Sequence, residues 1–227
     1  MLDFEVGREY SDGAGEFRPE GLRAEPGKNY LSNKDESVPL FRNKYIEKLT
    51  KVHPITPLVI FCPVIAYLLW RSIFVFSVSL FLMSALIACG ILCWTLFEYA
   101  VHRFVFHFET KQEGLLQELQ FLFHGVHHAY PKDSRRLVMP PSVSIPLGLL
   151  IYFAASKVWP EKLLPSFFTG FVFGYLCYDM IHFAIHHFSF SNKTFRKIKR
   201  QHYLHHYSNK ENGFGVSSPL WDYIFRT

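Results

Sequence analysis

Apolar residues in this chain are gathered into four stretches instead of being spread at helical or strand period, with polar connectors between them. The stretches run from about Thr56 to Trp70, Ile73 to Phe97, Val143 to Trp159 and Leu163 to Ile181. A straight bilayer span needs roughly 20 apolar residues, which the second and fourth supply easily. The first and third are shorter, and either cross at a tilt or re-enter. The pattern predicts an all-α integral membrane protein of about four transmembrane helices. Arg71 separates the first pair and Pro160-Glu161-Lys162 the second, so each pair reads as a helical hairpin. Residues 1–50 are polar and rich in Gly, Glu and Arg. They read as a cytosolic N-terminal arm, ahead of a membrane domain over 51–227, and show no cleavable signal sequence.

Charge sets the expected orientation. Two hairpins put both termini and the middle connector on one side. Of the 24 Lys and Arg, all but Arg71, Lys157 and Lys162 fall there, and an excess of basic residues marks the cytosolic face. The net charge of +5 therefore follows from topology. The basic residues flank spans and form no recognition motif, which argues against nucleic-acid binding.

Of the 12 histidines, ten fall into four clusters near the ends of the apolar stretches. These are His102 and His107; His124, His127 and His128; His182 and His186; and His202, His205 and His206. His53 and His187 stand apart. Imidazole is a common ligand for zinc, copper, nickel and iron. Ten rings exceed what one ion takes, so the expectation is a cytosolic helical layer holding two metal ions. Residues i, i+3 and i+4 share a helix face, so each H-x-x-H-H string aims three rings one way and splays its last two toward different ions. His182 and His186 are one turn apart, and His187 is rotated about 100° away. His102 and His107 diverge on a regular helix. Both reach a site only if the helix ends or bulges between them.

Glu98 lies one turn before His102, and Asp179 three residues before His182. Each is a candidate to accept the free N–H of a ligating ring and fix its orientation. The four cysteines lie inside apolar stretches with no C-x-x-C pair, and read as packing residues. An all-histidine set suits iron, zinc or copper on affinity alone. A structural zinc site takes only four ligands, so the count favours a reactive pair.

The strings WTLFEYAVHRFVFH, HGVHHAYPKDSRRLVMPP, GYLCYDMIHFAIHH and HYLHHYSNKENGFGVSSPLWDYIF carry these clusters. They resemble the membrane-bound fatty acid hydroxylase superfamily, and within it the fatty acid 2-hydroxylases. The likeness covers roughly residues 90–227, more weakly back to about Val38. It implies a di-iron oxygenase of the endoplasmic reticulum that uses O2 to hydroxylate C2 of long and very-long acyl groups, destined for or already within ceramides. The ten clustered histidines become the implied iron ligands, with zinc an alternative occupant in purified protein. Tyr178 and Asp179 match a catalytic position beside the centre. Many members carry a fused cytochrome b5 domain whose His-Pro-Gly-Gly string does not occur here. That implies a separate cytochrome b5, reduced by NAD(P)H through a reductase.

Tyr130, Lys132, Arg135 and Arg136 are candidates to hold the polar head of an acyl substrate, or to anchor the interface. Lys193, Arg196, Lys197, Lys199 and Arg200 suit either an acidic electron donor or anionic lipid headgroups. Two rival readings stand beside the 2-hydroxylase. A sterol or carotenoid hydroxylase, or a desaturase, shares the histidine spacing. A metal transporter would place its ligands near mid-membrane on broken spans, whereas these lie at span ends.

Overall fold

The computed structural model describes residues 8–10, 17–19, 30–108 and 115–227. The body is helical, as the apolar pattern predicts. A short antiparallel ribbon pairs β1 (Arg8–Tyr10) with β2 (Phe17–Pro19) in the N-terminal arm. The rest of the arm before Tyr30 lies outside the described residues. From Tyr30 onward the chain runs against the layer that carries the second histidine cluster. Leu31 and Ser32 donate backbone bonds to the Ala129 carbonyl, and Leu40 and Phe41 are buried with Val126 and Tyr130. Helix α1 (Lys44–Thr50) follows, with Asn43 capping the amides of Tyr45 and Ile46.

Among the described residues, three helices are long and apolar enough to cross a membrane. The first is α2 (Thr56–Trp70), extended by a π-helical turn over Arg71–Val75. The second is α3 (Leu80–Val101), extended by a π turn over His102–Phe106. The first hairpin therefore does not break at Arg71. Nothing in Arg71–Val75 stops a helix, so the chain turns later, where Ser77 adopts a left-handed φ of 46° and Ser79 caps α3 at the Leu82 amide. Helices α4 (Leu115–Gln120) and α5 (Val126–Ala129) are joined by a third π turn, Phe121–Gly125. The third apolar stretch forms α6 (Pro141–Ala155), 15 residues long, or about 22 Å against a hydrocarbon core of about 30 Å. The third long helix is α7 (Leu164–His187), followed by the Asn192-capped α8 (Lys193–Tyr207) and the short α9 (Leu220–Phe225).

Helices α3 and α7 touch backbone to backbone. A Cβ on Gly90 would sit 2.1 Å from the Phe167 carbonyl oxygen, and one on Gly170 2.0 Å from that of Ile87. Small residues permit such approach in lipid, where packing and polar contacts drive association. Around the crossing, Phe61, Trp94, Phe168, Phe171 and Tyr175 form an aromatic core. Ser166 Oγ donates to Ser72 Oγ at 2.9 Å, and Ser72 to the Leu68 carbonyl, tying α2 to α7. This crossing brings the C-terminal ends of α3 and α7 together, and the histidines are carried there.

Two of the four residues after the second histidine cluster, Arg136 and Tyr130, serve a different purpose from binding a substrate head. Arg136 is buried, bonding Glu47 at 2.7 Å and Asp133 at 3.0 Å, and Tyr130 is in the core beneath α1. Both are committed to holding the arm, so neither is free to bind a substrate head. Burial raises the Glu47 carboxyl, but the Lys51 and Leu40 hydrogen bonds and the Arg136 charge outweigh it and hold it below its ordinary 4.5. Glu47 thus stabilises the fold above that value and loses its contribution as pH falls below it. Arg136→Ala strands the carboxylates and should lower stability by about 3 kcal/mol. Thermal unfolding in detergent at pH 7 measures it, and an unchanged midpoint would show the clamp to be incidental.

Candidate metal centre

The ten clustered histidines converge. His102, His107, His124, His128 and His205 form one group, and His127, His182, His186, His202 and His206 a second, with the candidate ligand atoms within 4.8 Å of one another in each. Each H-x-x-H-H string is split between the groups. His124 and His128 face the first while His127 faces the second; His202 and His206 face the second while His205 faces the first. This is the splay that an i, i+3, i+4 pattern produces. His102 and His107 join the same group because the intervening turn is π-helical, with the His107 amide bonded to the His102 carbonyl at 3.1 Å. The extra residue per turn aligns side chains five apart. His187 stays outside both groups, its ring stacked on Phe183.

The nitrogen positions suit metal ions better than hydrogen bonds. His202 Nε2 lies 3.2 Å from that of His182 and 2.9 Å from those of His186 and His206. One ring nitrogen offers a single in-plane proton or lone pair, so it does not satisfy three neighbours. In the first group, His124 Nε2 lies 3.0 Å from that of His102 and 2.9 Å from that of His128, while His107 and His205 meet at 2.9 Å. Two nitrogens bound at right angles to an ion at about 2.05 Å are about 2.9 Å apart. The residues therefore fit a metal pair.

Protonation agrees. Burial, and then the neighbouring His205, push His107 down to about 3. Burial pushes His205 down to about 4 against the opposing Asn212 hydrogen bond. Burial and then adjacent imidazoles hold His124, His127, His128, His202 and His206 well below 6.5. Neutral rings at pH 7 are the form that binds metal. Because these folded-state values are depressed, the rings' stabilising contribution is complete above 6.5 and is lost as pH falls toward 3 to 4.

Neither expected carboxylate meets a histidine. Glu98 instead accepts the Val216 and Ser217 amides, both at 2.7 Å, and the Ser217 hydroxyl. Asp179 accepts the Met139 amide at 3.4 Å. The partners that do orient rings are carbonyls. His102 Nδ1 bonds Phe214 O at 2.6 Å, and His205 Nδ1 bonds Asn212 O at 2.8 Å. No spacing in the sequence announces them, since a backbone carbonyl has no residue signature. The sole cue is the pair of glycines flanking Phe214. Tyr178 stacks on His182 with centroids 5.6 Å apart.

Residues 87–227 match the fatty acid hydroxylase family model. The chain belongs to that family. It is 39% identical over 198 residues to the ceramide very long chain fatty acid hydroxylase SCS7 of Saccharomyces cerevisiae, covering 84% of this chain and 49% of that protein. It is 38% identical over 146 residues to the dihydroceramide fatty acyl 2-hydroxylase FAH2 of Arabidopsis thaliana, covering 63% and 60%. To the fatty acid 2-hydroxylase of Homo sapiens it is 33% identical over 210 residues, covering 83% and 56%. The chain thus spans about half the length of these relatives. The solved structure of full-length scs7p, in which only the hydroxylase domain is visible, superposes with a TM-score of 0.81 at 34% identity, over 93% of this chain and 83% of that one. This member of the fatty acid hydroxylase family is a membrane protein with histidine-rich metal-binding clusters at the ends of two long helices.

Proposed function

We propose that the chain is a fatty acid 2-hydroxylase of the endoplasmic reticulum membrane, a di-iron oxygenase acting on C2 of long and very-long acyl groups for ceramide synthesis. The observation that carries this reading is the pair of five-nitrogen groups where α3 and α7 end, and the activities in the relatives' names support it. The two groups of histidines would hold one iron each, facing the cytosol with both termini. Irons held there supply, with O2 and two electrons, the ability to hydroxylate an unactivated C–H bond.

The chain's own residues supply placement. A reacting carbon held within about 3–3.5 Å of its reagent gains most of what proximity offers. Tyr178, flat against His182 and one turn deeper along α7, walls the second group on its membrane side. Asp179 is wholly buried, and its Oδ2 lacks a well-formed hydrogen bond among the described residues, with the Tyr175 hydroxyl beside the carboxylate. We assign that oxygen to a hydroxyl or amide hydrogen of the acyl substrate's polar head, with the tail running among the spans.

Cytochrome b5 is the proposed electron donor, docking on α8. Lys193, Arg196, Lys197 and Arg200 are exposed there, the helix has no acidic residue, and it carries His202, His205 and His206. A groove of about 570 Å³ lined by Arg196, Lys199, Arg200 and Tyr203 opens on this surface. The test is reconstitution in membranes with NADH, cytochrome b5 reductase and cytochrome b5, with lipids read by mass spectrometry. A 2-hydroxyacyl product is expected, formed at a rate that falls as salt screens the docking charges. Hydroxylation or desaturation at another carbon would move the substrate assignment. Salt-insensitive reduction would remove the docking role of α8.

A further inference from the structure

We infer that Glu98 is a positioning residue for the first histidine group, acting through the strap of residues 212–217. The inference rests on the reading that the ten histidines hold two metal ions. The strap connects α8 to α9 and passes over the end of α3. Two of its carbonyls, Asn212 O and Phe214 O, accept the Nδ1–H of His205 and His102. A carbonyl only accepts, so each bond fixes the tautomer and leaves Nε2 bare toward the other first-group nitrogens.

The strap is itself pinned by carboxylates. Glu98 Oε1 takes the amides of Val216 and Ser217, and Oε2 takes the Ser217 hydroxyl. Asp222 takes the amides of Phe214 and Gly215 at 2.7 and 2.8 Å. Glu98 stands one turn before His102 on α3. The helix end, the strap and the ligand ring therefore form a closed circuit of hydrogen bonds. Between the two carbonyls, Gly213 holds φ at +80°, which turns Asn212 O toward α8 and Phe214 O toward α3.

Among the described residues the strap gives no hydrogen bond to the second group. The Nδ1 atoms of His186, His202 and His206 are buried without a hydrogen-bond partner among the described residues, and His182 has the Leu137 backbone beside it. Loss of the Glu98 anchor should therefore loosen one metal position and spare the other. A residue that merely stabilised the fold would affect both alike, and this difference is what the experiment reads.

The experiment is chelator-driven metal release from the purified full chain in detergent, with metal per chain measured first. Wild type should carry two ions. In Glu98→Ala, half of the metal should leave about 10- to 100-fold faster, the range for lost partners of metal-bound histidine, with the other half unchanged. Glu98→Gln keeps a carbonyl acceptor for both amides and should restore release to near wild type. Gly213→Ala is a second, independent variant, because the added Cβ meets nothing closer than 3.5 Å and only the backbone is strained. It should accelerate the same half, and it serves if Glu98→Ala does not fold. Equal acceleration of both halves, or none, overturns the positioning role. A wild-type chain without two ions overturns the metal reading instead.

Discussion

His202→Ala is expected to leave no detectable lipid hydroxylation and to reduce bound metal from two ions per chain toward one. Its Nε2 is the hub of the second group, within 3.2 Å of three other ring nitrogens. Removing it takes away a ligand and leaves the remaining nitrogens of that group without the atom that spaces them. The chain should still fold, because α8 keeps its Asn192 cap and its contacts with α7. His53→Ala, an exposed histidine outside both groups, should retain full metal and activity. Metal analysis and product mass spectrometry on both variants decide the matter. Two ions retained by His202→Ala would remove His202 from the ligand set.

Gly170→Val is expected to prevent assembly of the membrane core. A Cβ there lies 2.0 Å from the Ile87 carbonyl oxygen, and neither backbone can move without parting α3 from α7. Overpacking of a core typically costs about 1–3 kcal/mol. Here the obstacle is backbone, so the effect should sit at or above the top of that range. Since α3 carries His102 and α7 carries His182 and His186, separating them scatters both histidine groups. The variant should lose all bound metal and elute as aggregate on size exclusion, whereas Gly148→Val, where an added Cβ meets nothing within 4 Å, should behave as wild type. A folded, metal-loaded Gly170→Val would show that the helices tolerate wider spacing than the contact implies.

Much of the architecture is legible in the sequence because membrane helices and histidine ligands both leave strong periodic marks. The spacing H-x-x-H-H predicts two rings splayed to different partners, and His127 with His128, and His205 with His206, divide in that way. Turn positions are less legible. Arg71 looks like a break because it is charged, yet a charge at a span end does not stop a helix, and the chain turns only at Ser77. Glu98 looks like a partner of His102 because it stands one turn before it along the helix. Its bonds go to backbone more than a hundred residues away, a relationship that local pattern does not encode. Arg136 looks like a surface cation after a histidine cluster, and its burial depends on Glu47, which lies in a segment with no apolar pattern of its own. Local chemistry leaves a mark in the sequence; long-range hydrogen bonding does not.

The π turn at His102–Phe106 absorbs one residue between His102 and His107 that a regular α-helix would not accommodate without parting the two rings. Deleting any one of Arg103 to Phe106 would let the helix relax to its ordinary i to i+4 ladder. His107 would then fall four positions after His102, the spacing at which two side chains share one face of an α-helix, so the two rings would still point the same way. An alignment scoring that gap as the loss of a ligand spacing would be misled, because four residues in an α turn and five in a π turn present the same pair of rings.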